Sequence, residues 1–350
     1  MNTIGALLAA DVPVLLWGSP GIGKTASIVA TATEAGAHLE VLACGSLDSP
    51  DVVGYLVPHD GKLSQVPPPW AARLRAALDA GTPAWVFFDE ASCARPSVQA
   101  ALLRVIQERE VAGLSLRGCR VIAAANPAES AADGGWLAPA IAGRFAHVDV
   151  PAPPVQEWCN GLLRQWGLGW SRGGATGAAS IAGWVQRQPK ALMAPAERQD
   201  GRAWPSPRSW HAAARGLGSL ADKGFPCRGA AAEAVVAACV GAPAASEWHA
   251  WMMACDLPDP EAMLAGTATW PERGDQRLAT ATALVAAALV GDDDDVVTAR
   301  VKAAWGRLAE LRPEQALGAA QALADGHWSM PAESDGLLKA LAATKQRLGK

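Results

Sequence analysis

Eight consecutive residues, Gly18-Ser19-Pro20-Gly21-Ile22-Gly23-Lys24-Thr25, have the types and spacing to hold phosphate. They match G-x-x-x-x-G-K-S/T and lie between the apolar run Val12-Pro13-Val14-Leu15-Leu16-Trp17 and the helix-compatible run Ala26-Ser27-Ile28-Val29-Ala30. Strand, glycine-rich loop and helix is the context that gives this pattern a mechanism. The glycines let successive backbone N–H groups face one concavity, and the following helix adds the positive end of its dipole. Lys24 then reaches the β- and γ-phosphates, and the Thr25 hydroxyl takes a magnesium position. A plain glycine turn joining a strand to a helix is the alternative.

Phosphate chemistry also needs a metal holder and a way to activate water. The run Trp85-Val86-Phe87-Phe88-Asp89-Glu90 supplies both, because an apolar strand ends in two adjacent carboxylates. Ligands of open α/β sheets collect at that C-terminal edge. Asp89 would hold magnesium through its water shell, and Glu90 would polarise the attacking water. A third apolar run, Val121-Ile122-Ala123-Ala124-Ala125, ends in Asn126-Pro127, where an amide can orient water and read the γ-phosphate. An Asn opening a turn before Pro is the ordinary alternative. Arg144, in Gly143-Arg144-Phe145, is either a surface residue or a guanidinium offered to a neighbouring subunit's γ-phosphate. Pro205-Ser206-Pro207-Arg208-Ser209-Trp210 puts Arg208 at the start of a helix, from which it could close over the same nucleotide.

The elements that must position these groups follow from the hydrophobic pattern. Residues 12–17, 39–43, 84–88, 120–125 and 146–150 read as strands, alternating with helical patterns, so the first 150 residues form an α/β domain with a parallel sheet. Their near-continuous hydrophobicity suits strands covered on both faces. From Pro151 onward strand signals almost vanish. Eleven of the fifteen tryptophans lie there, among alanine-rich segments, and are expected to add bulk to helix interfaces. Residues 171–177 and 187–207, rich in Gly, Pro and polar side chains, read as loops, with a further break between Gly266 and Gly274. The run Asp292-Asp293-Asp294-Asp295 reads as a solvated loop capping a helix at Val296-Val297-Thr298, rather than a metal site.

The 350 residues call for two or three domains. With 30 basic against 34 acidic residues, the balance of −4 argues against a mainly electrostatic nucleic-acid binder. Seven scattered cysteines contain no C-x-x-C pair, which fits a reducing cytoplasm rather than a disulfide framework. The start has no basic segment of a signal peptide, and the Ala-rich stretches are too short and mixed to span a bilayer.

Taken together, GSPGIGKT (18–25), VFFDEAS (86–92), PSVQAALLRVIQEREV (96–111), VIAAANP (121–127), LAPAIAGRFAHVDVP (137–151) and SPRSW (206–210) resemble the MoxR-like branch of the AAA+ ATPases. The resemblance covers roughly residues 1–215. It implies a P-loop NTPase core over 1–151, an α-helical lid over 152–240 and leaves 241–350 as a C-terminal α-helical extension of unassigned role. It implies ATP and Mg2+ as cofactors, Asn126 as sensor 1, Arg144 as an arginine finger, Arg208 as sensor 2, and a ring, usually hexameric. It further implies a protein client and a von Willebrand factor A domain partner. A nucleic-acid motor or loader is the alternative, because AAA+ cores serve those roles too. Asp60-Gly61, between the short apolar runs 55–58 and 63–66, signals a β-hairpin. The resemblance implies that it is an insert facing the ring pore or the client; an ordinary surface hairpin is the alternative.

Overall fold

The computed structural model describes residues 3–127, 136–164, 172–194, 202–254, 257–289 and 294–324. The chain divides into two compact units, Met1–Ala152 and Pro153–Lys350.

In the first unit the described elements run α1 (Thr3–Ala9), β1 (Val14–Trp17), α2 (Lys24–Glu34), β2 (His38–Ala43), α3 (Ser49–Val53), β3 (Tyr55–His59), β4 (Lys62–Val66), α4 (Pro69–Asp79), β5 (Ala84–Asp89), α5 (Pro96–Glu108), β6 (Glu110–Val111), β7 (Leu114–Ser115), β8 (Arg120–Ala125), α6 (Pro139–Ala142) and β9 (Ala146–Asp149). Five strands form one parallel sheet in the order β2-β5-β8-β1-β9. All five sequence-predicted strands are present, within two residues at each end.

Alternation along the strands explains why they look continuously apolar. Leu15, Val86, Phe88, Val121 and Ala123 join one core with Val52, Leu74, Val98 and Leu102 from α3, α4 and α5. Their neighbours Val14, Leu16, Trp85, Phe87, Ile122 and Ala124 join a second core with Leu8, Ile28 and Ala32 from α1 and α2. Successive side chains point to opposite faces, so a sheet covered on both faces needs apolar residues at every position.

The topology fixes where a ligand can sit. After β1 the chain crosses to the far edge at β2 and returns through β5 and β8. It then passes to the other side of β1 at β9. The carboxyl ends of β1 and β8 therefore flank the point where strand order reverses, which is where open α/β sheets bind ligands.

The hairpin of β3 and β4 is antiparallel, pairing Tyr55 with Val66 and His59 with Lys62. Asp60 and Gly61 have φ of 49° and 73°, the two left-handed residues that a tight hairpin turn demands. Leu56 and Leu63 are 68% and 70% exposed on it.

The described part of the second unit is helical: α7 (Val155–Arg164), α8 (Arg172–Arg187), α9 (Pro207–Asp222), α10 (Ala230–Val240), α11 (Ala242–Ala254), α12 (Pro260–Leu264), α13 (Gly274–Ala288), α14 (Asp294–Leu308) and α15 (Pro313–Ala324). Trp158, Trp210 and Trp248 are fully buried in one core with Ala178, Ala182, Ala213 and Ala245, and Trp305 in a second core with Ala281 and Ala304. Trp166, Trp170 and Trp328 lie outside the described residues.

Two readings of this region are corrected. Residues 172–177 do not form a loop: α8 begins at Arg172 and runs through its glycines, and residue 171 lies outside the described residues. A Cβ at Gly177 would lie 2.3 Å from Ala214 O and 2.8 Å from Gly218 N, so this glycine lets α8 approach α9 closely. Its presence reflects packing between helices, which local propensity reads as a helix breaker. Helix α14 begins at Asp294, earlier than Val296, so Asp294 and Asp295 are its first residues. Asp292 and Asp293 lie outside the described residues. The segment 187–207 contains a 3-10 turn at Pro189–Leu192 before α9 starts, with 195–201 outside the described residues.

Candidate active site

The phosphate-type loop leaves β1 with Gly18 N donating to Ala125 O at 3.4 Å, so the loop starts against β8. A side chain at Gly18 has no room, because a Cβ there would lie 2.6 Å from both Val150 O and Ile22 Cδ1. Gly23, with φ of 101° and ψ of 20°, turns the chain into α2. The first turn of that helix leaves backbone N–H groups without intrahelical acceptors at the mouth of the loop.

Lys24 is only 8% exposed. A buried ammonium needs acceptors. Its Nζ donates to Gly18 O at 2.6 Å, Ser19 O at 3.2 Å and Asn126 Oδ1 at 2.8 Å. Two segments distant in sequence therefore converge: the loop with the start of α2, and the residue after β8. Thr25 Oγ1 donates to Asp89 Oδ2 at 2.5 Å, and Glu90 N donates to Asp89 Oδ1 at 3.0 Å. Glu90 itself is left-handed, with φ of 54° and ψ of 40°, a conformation uncommon outside glycine. Its carboxylate faces the end of β2, where a Cβ at Gly45 would lie 3.9 Å from Oε2. Asn126 is tied back to the same corner, its N–H donating to the buried Ser92 hydroxyl at 3.4 Å.

The corner is electronegative. Cys44, buried next to it, has its thiol pushed up to about 12, chiefly by burial and then by the charges of Asp89, Cys93 and Glu90. Among the described residues no group of three or more His, Cys, Asp or Glu side chains could hold a metal. Thr25 Oγ1 and Asp89 Oδ2 are instead two adjacent hard oxygens, the sparse donor set that suits magnesium shared with phosphate and water.

Lys24, Thr25, Asp89, Glu90 and Asn126 are thus brought together at the carboxyl edge of the sheet. Arg144 is not among them. It follows α6 and precedes β9, whose first residue, Ala146, is level with Val14 and donates its N–H to Pro13 O at 2.8 Å. At about 3.3 Å per residue, the length of β1 alone puts roughly 13 Å between that level and Gly18. Arg144 is exposed at the opposite edge, with Nε donating to Gln107 Oε1 at 3.2 Å and a second N–H donating to Ala140 O. Arg208 is exposed in the first turn of α9, in the second unit. Ser206 caps that helix, accepting from Ser209 N at 3.2 Å.

Beside the loop, a concavity of about 420 Å³ is lined by Trp17, Gly18, Ser19, Pro127, Asp149 and Val150, among others. Sequence reasoning missed Trp17, Asp149 and Ser92 as neighbours of the site. Only Trp17 had a signal, as the aromatic residue immediately before the loop.

Residues 13–145 match the family model of the AAA domain, dynein-related subfamily. With the parallel sheet and the loop, this defines the first unit as an AAA+ ATPase domain, a P-loop module that hydrolyses ATP. Two solved structures are similar to the chain at low identity, both of them point mutants of Thermotoga maritima RuvB. One mutant, a lysine-to-arginine exchange, is 15% identical, with a TM-score of 0.36, over 75% of this chain and 72% of that one. The other, a proline-to-glycine exchange, is 14% identical, with a TM-score of 0.37, over 85% and 86%. No curated protein matches the chain. Among the described residues, no helix is long and apolar enough to cross a membrane.

Proposed function

We propose that the chain is a MoxR-like AAA+ ATPase that works as a ring and spends ATP on remodelling, maturing or activating a client protein. The observation that carries the ring is the separation of Arg144 from the phosphate loop of its own chain. A guanidinium that far from its own nucleotide serves hydrolysis only at a neighbour's site. In this reading Lys24 holds the β- and γ-phosphates, while Thr25 and Asp89 hold magnesium, which neutralises charge on phosphate oxygens. Glu90 takes the proton of the attacking water, Asn126 orients that water, and Arg208 closes from the lid, residues 152–240. The exposed hairpin of β3 and β4 meets the client, and residues 241–350 add a helical extension. A von Willebrand factor A domain protein is the partner this branch suggests, and the cytoplasm the compartment.

Two experiments test the proposal. Mixing Arg144→Ala with Lys24→Ala protein should restore turnover, because one interface then combines an intact loop with an intact finger. Turnover independent of protein concentration, with no rescue, removes the ring. Glu90→Gln protein loaded with ATP should retain a protein client on a pull-down. ATPase activity stimulated by DNA, with no such client, would replace the remodelling role with a nucleic-acid motor.

A further inference from the structure

His147 lies on β9, on an exposed edge strand where core packing does not require an imidazole. Its ring nevertheless makes two specific bonds. Trp17 Nε1 donates to Nδ1 at 2.9 Å, and Nε2 lies 2.9 Å from Ala142 O. An indole N–H only donates and a carbonyl only accepts, so the two partners select the neutral tautomer protonated on Nε2. The Trp17 and His147 rings are 6.0 Å apart and tilted by 32°.

Each partner belongs to a different functional segment. Trp17 is the last residue before the phosphate loop and a wall of the concavity beside it. Its carbonyl also accepts from Val150 N at 2.7 Å. Ala142 ends α6, and its carbonyl accepts from Phe145 N at 3.2 Å, closing the turn that displays Arg144. The imidazole therefore bridges the entrance of one chain's own nucleotide site and the turn facing away from it. The charged groups nearest along the chain are Asp149, on the same face of β9, and Arg144.

We propose that His147 is a positioning residue that ties the Trp17 side of the phosphate loop to the turn carrying Arg144, and so holds in place the guanidinium offered to the next chain. This rests on the reading of Arg144 as a residue acting on a neighbour's site. The test separates the two. Arg144→Ala chains, with intact loops, are mixed with Lys24→Ala chains, which contribute only Arg144, and turnover is measured. Rescue by the Lys24→Ala chain supports the reading of Arg144, and its absence removes that reading together with the proposal. With rescue in hand, adding His147→Phe to the Lys24→Ala chain should cut the rescued kcat about threefold or more. The KM for ATP should stay unchanged, because it is set by the loop of the other chain.

Trp17→Phe in the same chain deletes the indole N–H bond together with part of the ring, and should give a comparable loss. Both changes together should cost no more than one, since they break one connection. Thermal melts of each variant identify any that fail to fold, in which case the remaining one of the pair decides. Undiminished rescue by a folded variant, or fully additive losses, would overturn the role of His147 while leaving Arg144 in place.

Discussion

Gly18→Ala offers a direct test of how the phosphate loop is held. The added Cβ would meet Val150 O and Ile22 Cδ1 at 2.6 Å. The Ile22 methyl ends a side chain that can rotate away, but Val150 O is backbone, and its own N–H is bonded to Trp17 O at 2.7 Å. Restoring ordinary contact therefore moves either the β1–β9 pairing or the start of the loop by roughly 0.8 Å or more. Overpacking of this kind costs about 1–3 kcal/mol. Lys24 is carried along, because its Nζ donates to Gly18 O at 2.6 Å. ATP affinity should fall together with stability. Gly23→Ala makes the control: nothing lies within 4 Å of its Cβ, but its φ of +101° is strained for any side chain. That change should cost about 1–2 kcal/mol through the backbone alone. Urea midpoints and titration with a fluorescent ATP analogue measure both effects. Gly18→Ala protein with wild-type midpoint and affinity would refute the clamp between loop and β9.

Lys24→Ala should abolish nucleotide binding, whereas Glu90→Gln should bind ATP and lose turnover by about 10²-fold or more, read by the same titration and by phosphate release. Deleting residues 56–65 and closing the gap with a short Gly-Ser link should leave the fold and basal ATPase intact, because the hairpin exposes its large apolar side chains and loop length costs little; an unfolded product would make the hairpin structural. Glu40 on β2 accepts from Arg73 Nε and a second guanidinium N–H at 2.7 Å each, and lies 2.8 Å from His38 Nε2. Burial alone would raise its carboxyl, but these bonds and charges hold it below the usual 4.5. The clamp should therefore stabilise fully above that value and fade as pH falls through the depressed one, and Glu40→Gln should flatten stability measured from about pH 3 to 7.

The sheet was readable because burial on both faces leaves an unambiguous mark. Trp85 and Phe87 serve one core while Val86 and Phe88 serve the other, and the run between Thr82 and Asp89 has no polar side chain to confuse it. The hairpin was readable for a different reason, since Asp60-Gly61 is a local requirement of its turn. Glycine misled where its role was not local. Gly177 yields its Cβ to the backbone of Ala214 in a helix some forty residues away, and no window around residue 177 contains that information.

The candidate site divides along the same line. Lys24, Thr25, Asp89 and Asn126 were legible because each ends or follows a strand, and parallel register carries strand ends to one edge. Trp17 pairs with both Ala125 and Asp149, which levels the loop with the residues after β8 and β9. The same register placed Arg144 at the other edge, a consequence that strand order makes unavoidable once β9 starts level with Val14. The Trp17–His147–Ala142 connection needed more than register. It depends on an indole reaching diagonally across two strands and on a carbonyl left available at the end of a four-residue helix. Motif spacing records residues that touch the nucleotide. Residues that hold those groups in place are chosen by side-chain geometry between strands, so they surface only when the strands are assembled.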